Sequence, residues 1–267
     1  MAAKREAAAA KAKGGKSAPA TASSSDGAIA DYGLDSPFLI KSYYSRAAWT
    51  FAFGFALWFM NREEYPGPAA SLLVALAVIA AAFAAAGWLM TWSSRKGKLQ
   101  LRDKLAAMLA LNGDEKILDA GCGLGLLAVA IAQRLKSGKV TAVDVWNPHV
   151  LSGNSAEAAL ANARREGVAD RIRFEDGDIR KFGYPAGNFD AAASAGMIHF
   201  FDDEPDRDQI VRELYRVVKP GGKLLIFDTS FVDRYAEILK ECGAAEINVA
   251  PAGFLWCRPT RVVTARK

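Results

Sequence analysis

The sequence predicts an α/β fold in which a doubly wound, mostly parallel sheet of seven strands ends in an antiparallel strand. Strands and helices alternate over residues 99–267, a glycine-rich turn follows the first strand, and the last two strand-like stretches have no helix between them. Such alternation is typical of βαβ units around a parallel sheet, and a final pair without a helix is typical of an antiparallel hairpin. A two-helix transmembrane hairpin is predicted to precede this domain.

Apolar periodicity places the strands and helices of this domain. Runs rich in branched and aromatic residues predict strands, and runs with a helical repeat predict amphipathic helices. The predicted strands span residues 116–120, 139–144, 171–175, 189–194, 223–228, 245–249 and 255–265. The predicted helices span residues 99–111, 124–136, 155–167, 206–218 and 235–242.

The chain offers few residues suited to metal binding or disulfide bonds. Its three cysteines are Cys122, Cys242 and Cys257, without a CxxC pair, and it has two histidines. An odd number of separated cysteines predicts neither a disulfide framework nor a structural zinc site. We therefore expect no metal centre.

The basic residues indicate a membrane surface rather than nucleic acid. The net charge is +5 over 267 residues, and the lysines and arginines do not form one stripe interleaved with aromatic residues, so nucleic acid is not an expected partner. Many of them flank two apolar segments instead, which makes a lipid bilayer the expected partner. Residues 1–30 are of low complexity and lack the apolar core of a secretory signal, so we expect a disordered tail there.

The two apolar segments lie at about residues 39–60 and 68–92. The second carries no charge and is long enough to span a bilayer. The uncharged run 47–60 of the first gives about 21 Å of helix against about 30 Å of hydrocarbon, so it spans only if the helix extends back past Arg46 and Lys41. Basic residues on both flanks predict a hairpin with both ends, and hence the α/β domain, on the cytoplasmic face of the membrane. The alternative is a buried helix of a soluble protein or a dimer contact.

Three parts of the chain follow from these patterns. Residues 1–30 form the tail, residues 31–98 form a juxtamembrane segment with the transmembrane hairpin, and residues 99–267 form the α/β domain.

The glycine-rich turn is the sharpest motif. An apolar strand leads through Asp119 into Gly121, Gly123 and Gly125, and a helix follows. Glycines at the carboxyl end of a first strand allow a tight turn and a close approach of backbone to ligand. The dinucleotide pattern GxGxxG would need glycine where Leu126 stands, and no Lys-Ser/Thr pair of a phosphate-binding loop follows.

Two further acids stand at strand ends. Asp144, followed by Val145, ends the second strand, and an acid there can accept hydrogen bonds from both hydroxyls of a ribose. Asp178 and Ile179 follow the third strand, where a carboxylate can receive the amino group of an adenine and an apolar side chain can lie against its ring.

Taken together, these segments resemble the successive motifs of the class I S-adenosylmethionine-dependent methyltransferases. Phe189-Asp190 and the stretch 218–224 continue the series, in the family's order and at its spacing, so that the resemblance covers nearly all of residues 99–267. It implies a Rossmann-like fold and S-adenosylmethionine as cofactor, with S-adenosylhomocysteine as product. A more distant similarity is to the quinone-biosynthesis C-methyltransferases. With the apolar hairpin, the segments 31–37 and 151–154 resemble small bacterial membrane-anchored methyltransferases.

The resemblance also implies roles for individual residues. Gly121 and Gly123 would approach the methionine part of the cofactor and Asp119 its amino group. Asp144 would bind the ribose. The remaining predicted cofactor-binding residues are Asp178 and Ile179 at the adenine, Ser194 under the sulfonium, and Cys122, Gly125 and Val145.

Some of these residues have plainer interpretations. For Gly125 the alternative to a cofactor role is a role in helix packing alone. For Cys122 the alternative is a small packed residue rather than a nucleophile. Asn154, followed by Glu157, is typical of a capping box at a helix start, with a ligand role as the alternative.

The acceptor should meet the cofactor at the carboxyl end of the fourth strand. His199 is the candidate general base there, because its ordinary pKa lies near neutrality. The alternative is that His199 caps the next helix or only lines the site. Asp228, at the end of the fifth strand, can face the acceptor. We expect residues 31–46 to fold back over this site.

A catalytic domain held at a bilayer favours a small lipophilic acceptor. The competing functions are a non-catalytic S-adenosylmethionine-binding membrane module, a methyltransferase for a soluble metabolite or a protein, and an arsenic methyltransferase. The last needs several convergent cysteines, and the sequence offers no evident cluster. The acceptor, the atom methylated and the oligomeric state stay open.

Overall fold

The computed structural model describes residues 29–255 and 258–267. The predicted tail, apart from its last two residues, lies outside the described residues, and so does Cys257. The long apolar helices come first along the described chain, and the α/β domain follows.

A single mixed sheet of seven strands organises the domain, in the order β3-β2-β1-β4-β5-β7-β6. The strands are β1 (Lys116–Ala120), β2 (Lys139–Asp144), β3 (Ile172–Asp176), β4 (Phe189–Ala195), β5 (Val218–Asp228), β6 (Ala245–Leu255) and β7 (Arg258–Arg266). The helices of the domain are α3 (Lys98–Met108), α4 (Leu126–Ala132), α5 (Ala156–Arg165), α6 (Glu204–Val217) and α7 (Val232–Glu241). The first five strands of the chain are parallel to one another.

Helices cover both faces of the sheet, as a doubly wound fold requires. On one face Leu105 of α3 and Leu127 of α4 pack in one apolar cluster with Ile117 of β1. On the other face Ile210 of α6 and Tyr235 of α7 belong to a second cluster. Both faces of the central strands are buried, which explains why these strands are almost continuously apolar in sequence. The predicted Rossmann-like fold is confirmed.

The antiparallel end of the sheet is also confirmed. Strand β7 runs antiparallel to both β5 and β6, so β6 runs in the same direction as β5. Arg261 of β7 pairs with Asp228, the last residue of β5, and also with Pro251 of β6. The rest of β6 therefore extends past the carboxyl end of β5 and forms a projecting hairpin tip.

Two helices, α1 (Pro37–Asn61) and α2 (Pro66–Trp92), precede the domain. They pack in antiparallel fashion, with Gly54 of α1 against Leu76 of α2 and Gly87 of α2 against the ring of Tyr44. The first helix does extend back past Arg46 and Lys41, which was the condition for it to span a membrane.

One continuous helix joins the helix pair to the domain. A π-helical turn, Ser93–Gly97, connects α2 to α3 without a break. The resulting helix, Pro66–Met108, has 43 residues and is, among the described residues, the one helix that is long and apolar enough to cross a membrane. The structure thus supports one long apolar helix rather than clearly the predicted two-helix transmembrane hairpin, because α1 does not meet that standard by itself. The boundary at residue 98 stays a prediction, since the helix passes through it.

Candidate active site

The glycine turn after β1 adopts a backbone that side chains rarely permit. Gly121, Gly123 and Gly125 all have positive φ, at 74°, 52° and 82°. A Cβ on Gly121 would overlap the side chain of Met197, and a Cβ on Gly123 would lie 2.9 Å from Leu151. The turn therefore leaves backbone exposed beside a cavity where a ligand can approach closely.

Asp144 is held rigidly at the carboxyl end of β2. Its carboxylate accepts hydrogen bonds from the backbone N–H of Gly123 at 2.8 Å and of Trp146 at 2.7 Å. The side-chain amide of Asn154 donates to it at 3.3 Å. These bonds join the glycine turn to the acid, so the two predicted halves of a cofactor site are adjacent.

Asn154 corrects an expectation from the sequence. The N-cap of α5 is Ser155, whose hydroxyl accepts a hydrogen bond from the N–H of Ala158 at 3.1 Å. Asn154 instead lies in the wall of the cavity and is about nine-tenths buried. Its side-chain oxygen Oδ1 has no hydrogen-bond partner among the described residues. The capping prediction was wrong because Ser155 occupies the extended backbone position that a cap requires.

Asp119 is almost fully buried next to the turn. Neither of its carboxylate oxygens makes a well-formed hydrogen bond within the described residues. Burial raises the pKa of this carboxyl to about 7, the Ala128 amide opposes the shift, and the charge of Asp144 adds to it. A buried carboxylate without a cation is a place where a ligand's ammonium group would be stabilised.

The glycine turn and Asp144 line a cavity of about 290 Å³. Its wall also contains His199 and apolar side chains from several elements. The apolar lining includes Leu39 of α1, Met90 of α2, Leu101 and Leu105 of α3, and Met197, Phe200, Phe227 and Leu255 of the domain. One cavity thus reaches from the predicted cofactor residues to the base of the helix pair.

His199 is paired with Asp228. Its Nδ1 lies 2.5 Å from the carboxylate of Asp228, and its backbone N–H donates to the same carboxylate at 3.1 Å. Asp228 is completely buried and also accepts hydrogen bonds from the Thr229 N–H at 2.7 Å and the Tyr235 hydroxyl at 3.3 Å. Nδ1 therefore faces the acid at ion-pair distance, without the geometry of a hydrogen bond, and Nε2 lies on the other side of the ring.

Residues 31–36, which we call the strap, fold across the loop that follows Asp144. The N–H of Leu34 donates to the Ser152 hydroxyl at 2.7 Å, and the N–H of Ser36 donates to the carbonyl of Val150 at 2.9 Å. The strap thus lies mainly over the loop that follows Asp144, and its Tyr32, Asp35 and Ser36 line the cavity.

Lys98 fastens the strap to the long helix. Its buried ammonium group donates to the carbonyls of Tyr32 and Gly33 at 2.6 and 3.0 Å and lies 3.2 Å from the carboxylate of Asp35. Burial lowers the pKa of Lys98, although Asp35 opposes the shift. Nothing in the local sequence of Lys98 distinguishes it from the neighbouring basic residues, so sequence reasoning missed it.

Besides the buried Asp119 and Ser194, four predicted cofactor residues lie outside the cavity wall. Gly125 faces the ring of Phe174, which agrees with a packing role, and Ile179 is buried in an apolar cluster. Asp178 forms an ion pair with Arg180 at 2.7 Å, and Val145 is exposed. The roles of Asp178 and Ile179 toward an adenine, and of Gly125 and Val145 toward the cofactor, stay predictions.

Two other predicted residues are buried close to the site. Ser194 ends up at the carboxyl end of β4, and its hydroxyl has no partner within the described part of the chain. Cys122 lines the cavity, and burial raises the pKa of its thiol well above the usual value, which disfavours the nucleophilic thiolate. No group of three or more metal-ligating side chains occurs in residues 29–255 and 258–267.

Comparison with known proteins assigns the domain. Residues 117–222 match a family described as a methyltransferase domain. The 27-O-demethylrifamycin SV methyltransferase of Amycolatopsis mediterranei is 32% identical over 157 residues, which are 56% of this chain and 54% of that protein. This match, together with the fold, supports a methyltransferase domain of the class I, S-adenosylmethionine-dependent type in this part of the chain.

Other relatives of this methyltransferase domain are more distant. The sterol 24-C-methyltransferase of Neurospora crassa is 30% identical over 132 residues, 49% of this chain and 32% of that protein. The crystal structure of the cyclase SpnF has a TM-score of 0.52 at 20% identity, over 63% of this chain and 81% of that one, which is a likeness of fold. The chain spans about half the length of the curated relatives it matches.

The residues present fit the cofactor of this family, S-adenosylmethionine. The unpartnered carboxylate of Asp119 suits its amino group, and the fixed carboxylate of Asp144 with the free carbonyl oxygen of Asn154 suits the hydroxyls of its ribose. Gly121 lines the cavity, so its backbone can approach the methionine chain of the cofactor.

Proposed function

We propose that the protein transfers a methyl group from S-adenosylmethionine to a small lipophilic acceptor. One observation carries this proposal: the glycine turn and Asp144 line the same cavity as a large set of apolar side chains. His199 also lies in the wall of that cavity. The relatives named for rifamycin and sterol methylation support an apolar acceptor.

The residues of the site have separate tasks in this proposal. When bound, S-adenosylmethionine supplies an electrophilic methyl group on a sulfonium. Asp119, Asp144 and Asn154 hold and orient the cofactor, and the apolar wall holds the acceptor in line with the methyl group and excludes water. Orientation of this kind contributes about 7–11 kcal/mol to lowering a barrier.

His199 acts as the general base where the acceptor carries a hydroxyl or an acidic C–H. Its Nε2 takes the proton, and Asp228 stabilises the resulting imidazolium because its buried carboxylate lies against Nδ1. A positioned base contributes about 10²–10⁴-fold in rate.

The same proposal includes anchoring in a membrane with the domain on the cytoplasmic face. In the most apolar window of the long helix only 11% of the residues are buried in the protein, so nearly all of that surface needs an apolar surrounding. Arg95 and Lys96 follow α2 and are exposed, as expected for a cytoplasmic flank. This observation favours a bilayer over the core of a soluble protein.

Two measurements test the proposed function. Calorimetry of the full chain in nanodiscs should show binding of S-adenosylhomocysteine, and Asp144→Asn should weaken it. Transfer of labelled methyl groups to a lipid extract, followed by mass spectrometry, should then give an apolar product. Binding without labelled product in lipid or soluble extracts would favour a non-catalytic cofactor-binding module, and labelled product in the soluble extract alone would refute the lipophilic acceptor.

A further inference from the structure

The carboxyl edge of the sheet presents three exposed phenylalanines. Phe200 follows β4, Phe231 follows β5, and Phe254 lies near the end of β6, with exposed fractions of 39%, 47% and 59%. Because β4, β5 and β6 run in the same direction, their carboxyl ends meet at one edge. We call Phe200, Phe231 and Phe254 the aromatic edge.

The long helix leaves the domain at this same edge. At the amino end of the sheet, Lys223 donates to the carbonyls of Leu109 and Ala110 just after α3, at 2.8 and 2.6 Å. At the carboxyl end, Gly97 approaches Leu255 in the projecting hairpin tip. The helix therefore crosses the domain from one edge to the other, and α2 continues beyond the aromatic edge for 27 residues, about 40 Å.

Phe231 is held outward by an unusual backbone. Its φ is +61°, a left-handed conformation that is uncommon for a bulky residue and costs free energy. The guanidinium of Arg207, itself almost fully buried, lies 4.1 Å from the ring centroid and fixes its position. The arrangement holds an apolar ring at the surface, where an apolar surrounding that covers it would stabilise it further.

We propose that the aromatic edge is a second contact with the lipid bilayer, which sets the mouth of the central cavity at the level of the lipid headgroups. This inference rests on the membrane anchoring in the proposed function. Phe200 lines the cavity itself, and so does the exposed Arg258 at the hairpin tip. Aromatic rings beside cations match the interfacial region of a bilayer, where rings insert among headgroups and basic side chains meet anionic lipids.

The contact has a consequence for the acceptor. Leu39 of α1 and Met90 of α2 also line the cavity, so it opens where the helix pair meets the domain. A lipid enters it sideways from the bilayer, with its polar end toward His199 and its apolar tail left among lipids. The substrate class is therefore an amphiphile that stays in the membrane during methylation.

Labels at matched positions test the contact. In full-length protein carrying Cys242→Ser and Cys257→Ser, an environment-sensitive fluorophore is placed on Phe231→Cys, Phe254→Cys, Ser137→Cys or Val78→Cys. Ser137 is exposed and precedes β2, so it lies at the opposite edge of the sheet, and Val78 is exposed on α2. The proteins are reconstituted in phosphatidylcholine–phosphatidylglycerol nanodiscs with spin-labelled lipid as quencher.

The four labels separate the possible outcomes. We expect quenching at positions 231, 254 and 78 and none at 137. Quenching at position 78 with an unquenched label at position 231, at position 254 or at both would overturn the proposed bilayer contact of the aromatic edge. The membrane anchoring would stand in that case. Equal quenching at 137 would also overturn it, because the contact would not be specific to that edge. An unquenched label at 78 would refute the membrane anchoring itself.

Discussion

Asp119 ties cofactor affinity to pH. Burial raises its pKa to about 7, so roughly half of the sites hold a neutral acid at pH 7. Pairing with the amino group of the cofactor requires the carboxylate. At pH 5.5 only about one site in 30 is ionised, so the affinity for S-adenosylhomocysteine should fall about 30-fold below its limiting value.

Calorimetry from pH 5.5 to 9, in buffers of different ionisation enthalpy, measures both the affinity and the protons exchanged. At pH 6 the wild-type protein should release close to one proton per cofactor bound, because Asp119 must ionise. Asp119→Asn should remove the acid limb of the profile. A ligand without the amino acid part, 5′-methylthioadenosine, should lack that limb with the wild-type protein. An acid limb that persists in Asp119→Asn would refute the pairing.

The same group affects the stability of the cofactor-free protein with a definite sign. Its folded pKa of about 7 lies above the ordinary value of 3.8, so the folded state holds the proton more tightly than the unfolded chain. The contribution is present at low pH and is lost as the pH rises from about 4 to about 7. The Tm of the wild type relative to Asp119→Asn should therefore fall across that window, and a rise would contradict the buried, unpartnered carboxylate.

Three further changes probe other parts of the site. His199→Asn should lower kcat about 10²–10⁴-fold for a hydroxyl or C–H acceptor without changing the affinity for S-adenosylhomocysteine. His149 is exposed, so His149→Asn should leave both kcat and this affinity unchanged. An equal loss of kcat in the two variants would exclude a role for His199 as base. Gly121→Ala should cost more stability and cofactor affinity than Gly153→Ala in thermal melts and calorimetry. Both have φ near +70° and incur about 1–2 kcal/mol of strain, but a Cβ meets other atoms only at Gly121. Lys98→Met should lower the unfolding free energy in denaturant titrations by about 3 kcal/mol and speed proteolysis of the strap, unlike the exposed Lys96→Met.

The sequence was sufficient to predict the limits of those elements that end at a recognisable residue motif. The limits predicted for β1 and β2 agree with the structure to the residue, because a glycine turn follows β1 directly and β2 ends at an acid. The limits of α3 were predicted less well. No proline stands between Trp92 and Leu99, so the chain passes from α2 into α3 through a π-helical turn that apolar periodicity does not indicate.

The site was predictable only where a motif is local. The glycine turn and Asp144 are recognised from positions near strand ends, and the structure brings them into contact at 2.8 Å. The pairing of His199 with Asp228 joins residues 29 positions apart, and it depends on β4 and β5 being neighbours in the sheet. The strap joins residues more than 100 positions apart, a separation over which sequence patterns carry no signal.

By itself the sequence determined the alternation of strands and helices, the long apolar segment and the glycine-acid motif, because each depends on the chemistry of residues close together along the chain. Only the tertiary structure decided which side chains meet across elements: Asn154 with Asp144, Lys98 with the strap, and three phenylalanines at the edge where the long helix departs. The physical reason is that burial and strand order, which set those contacts, are properties of the whole packed sheet.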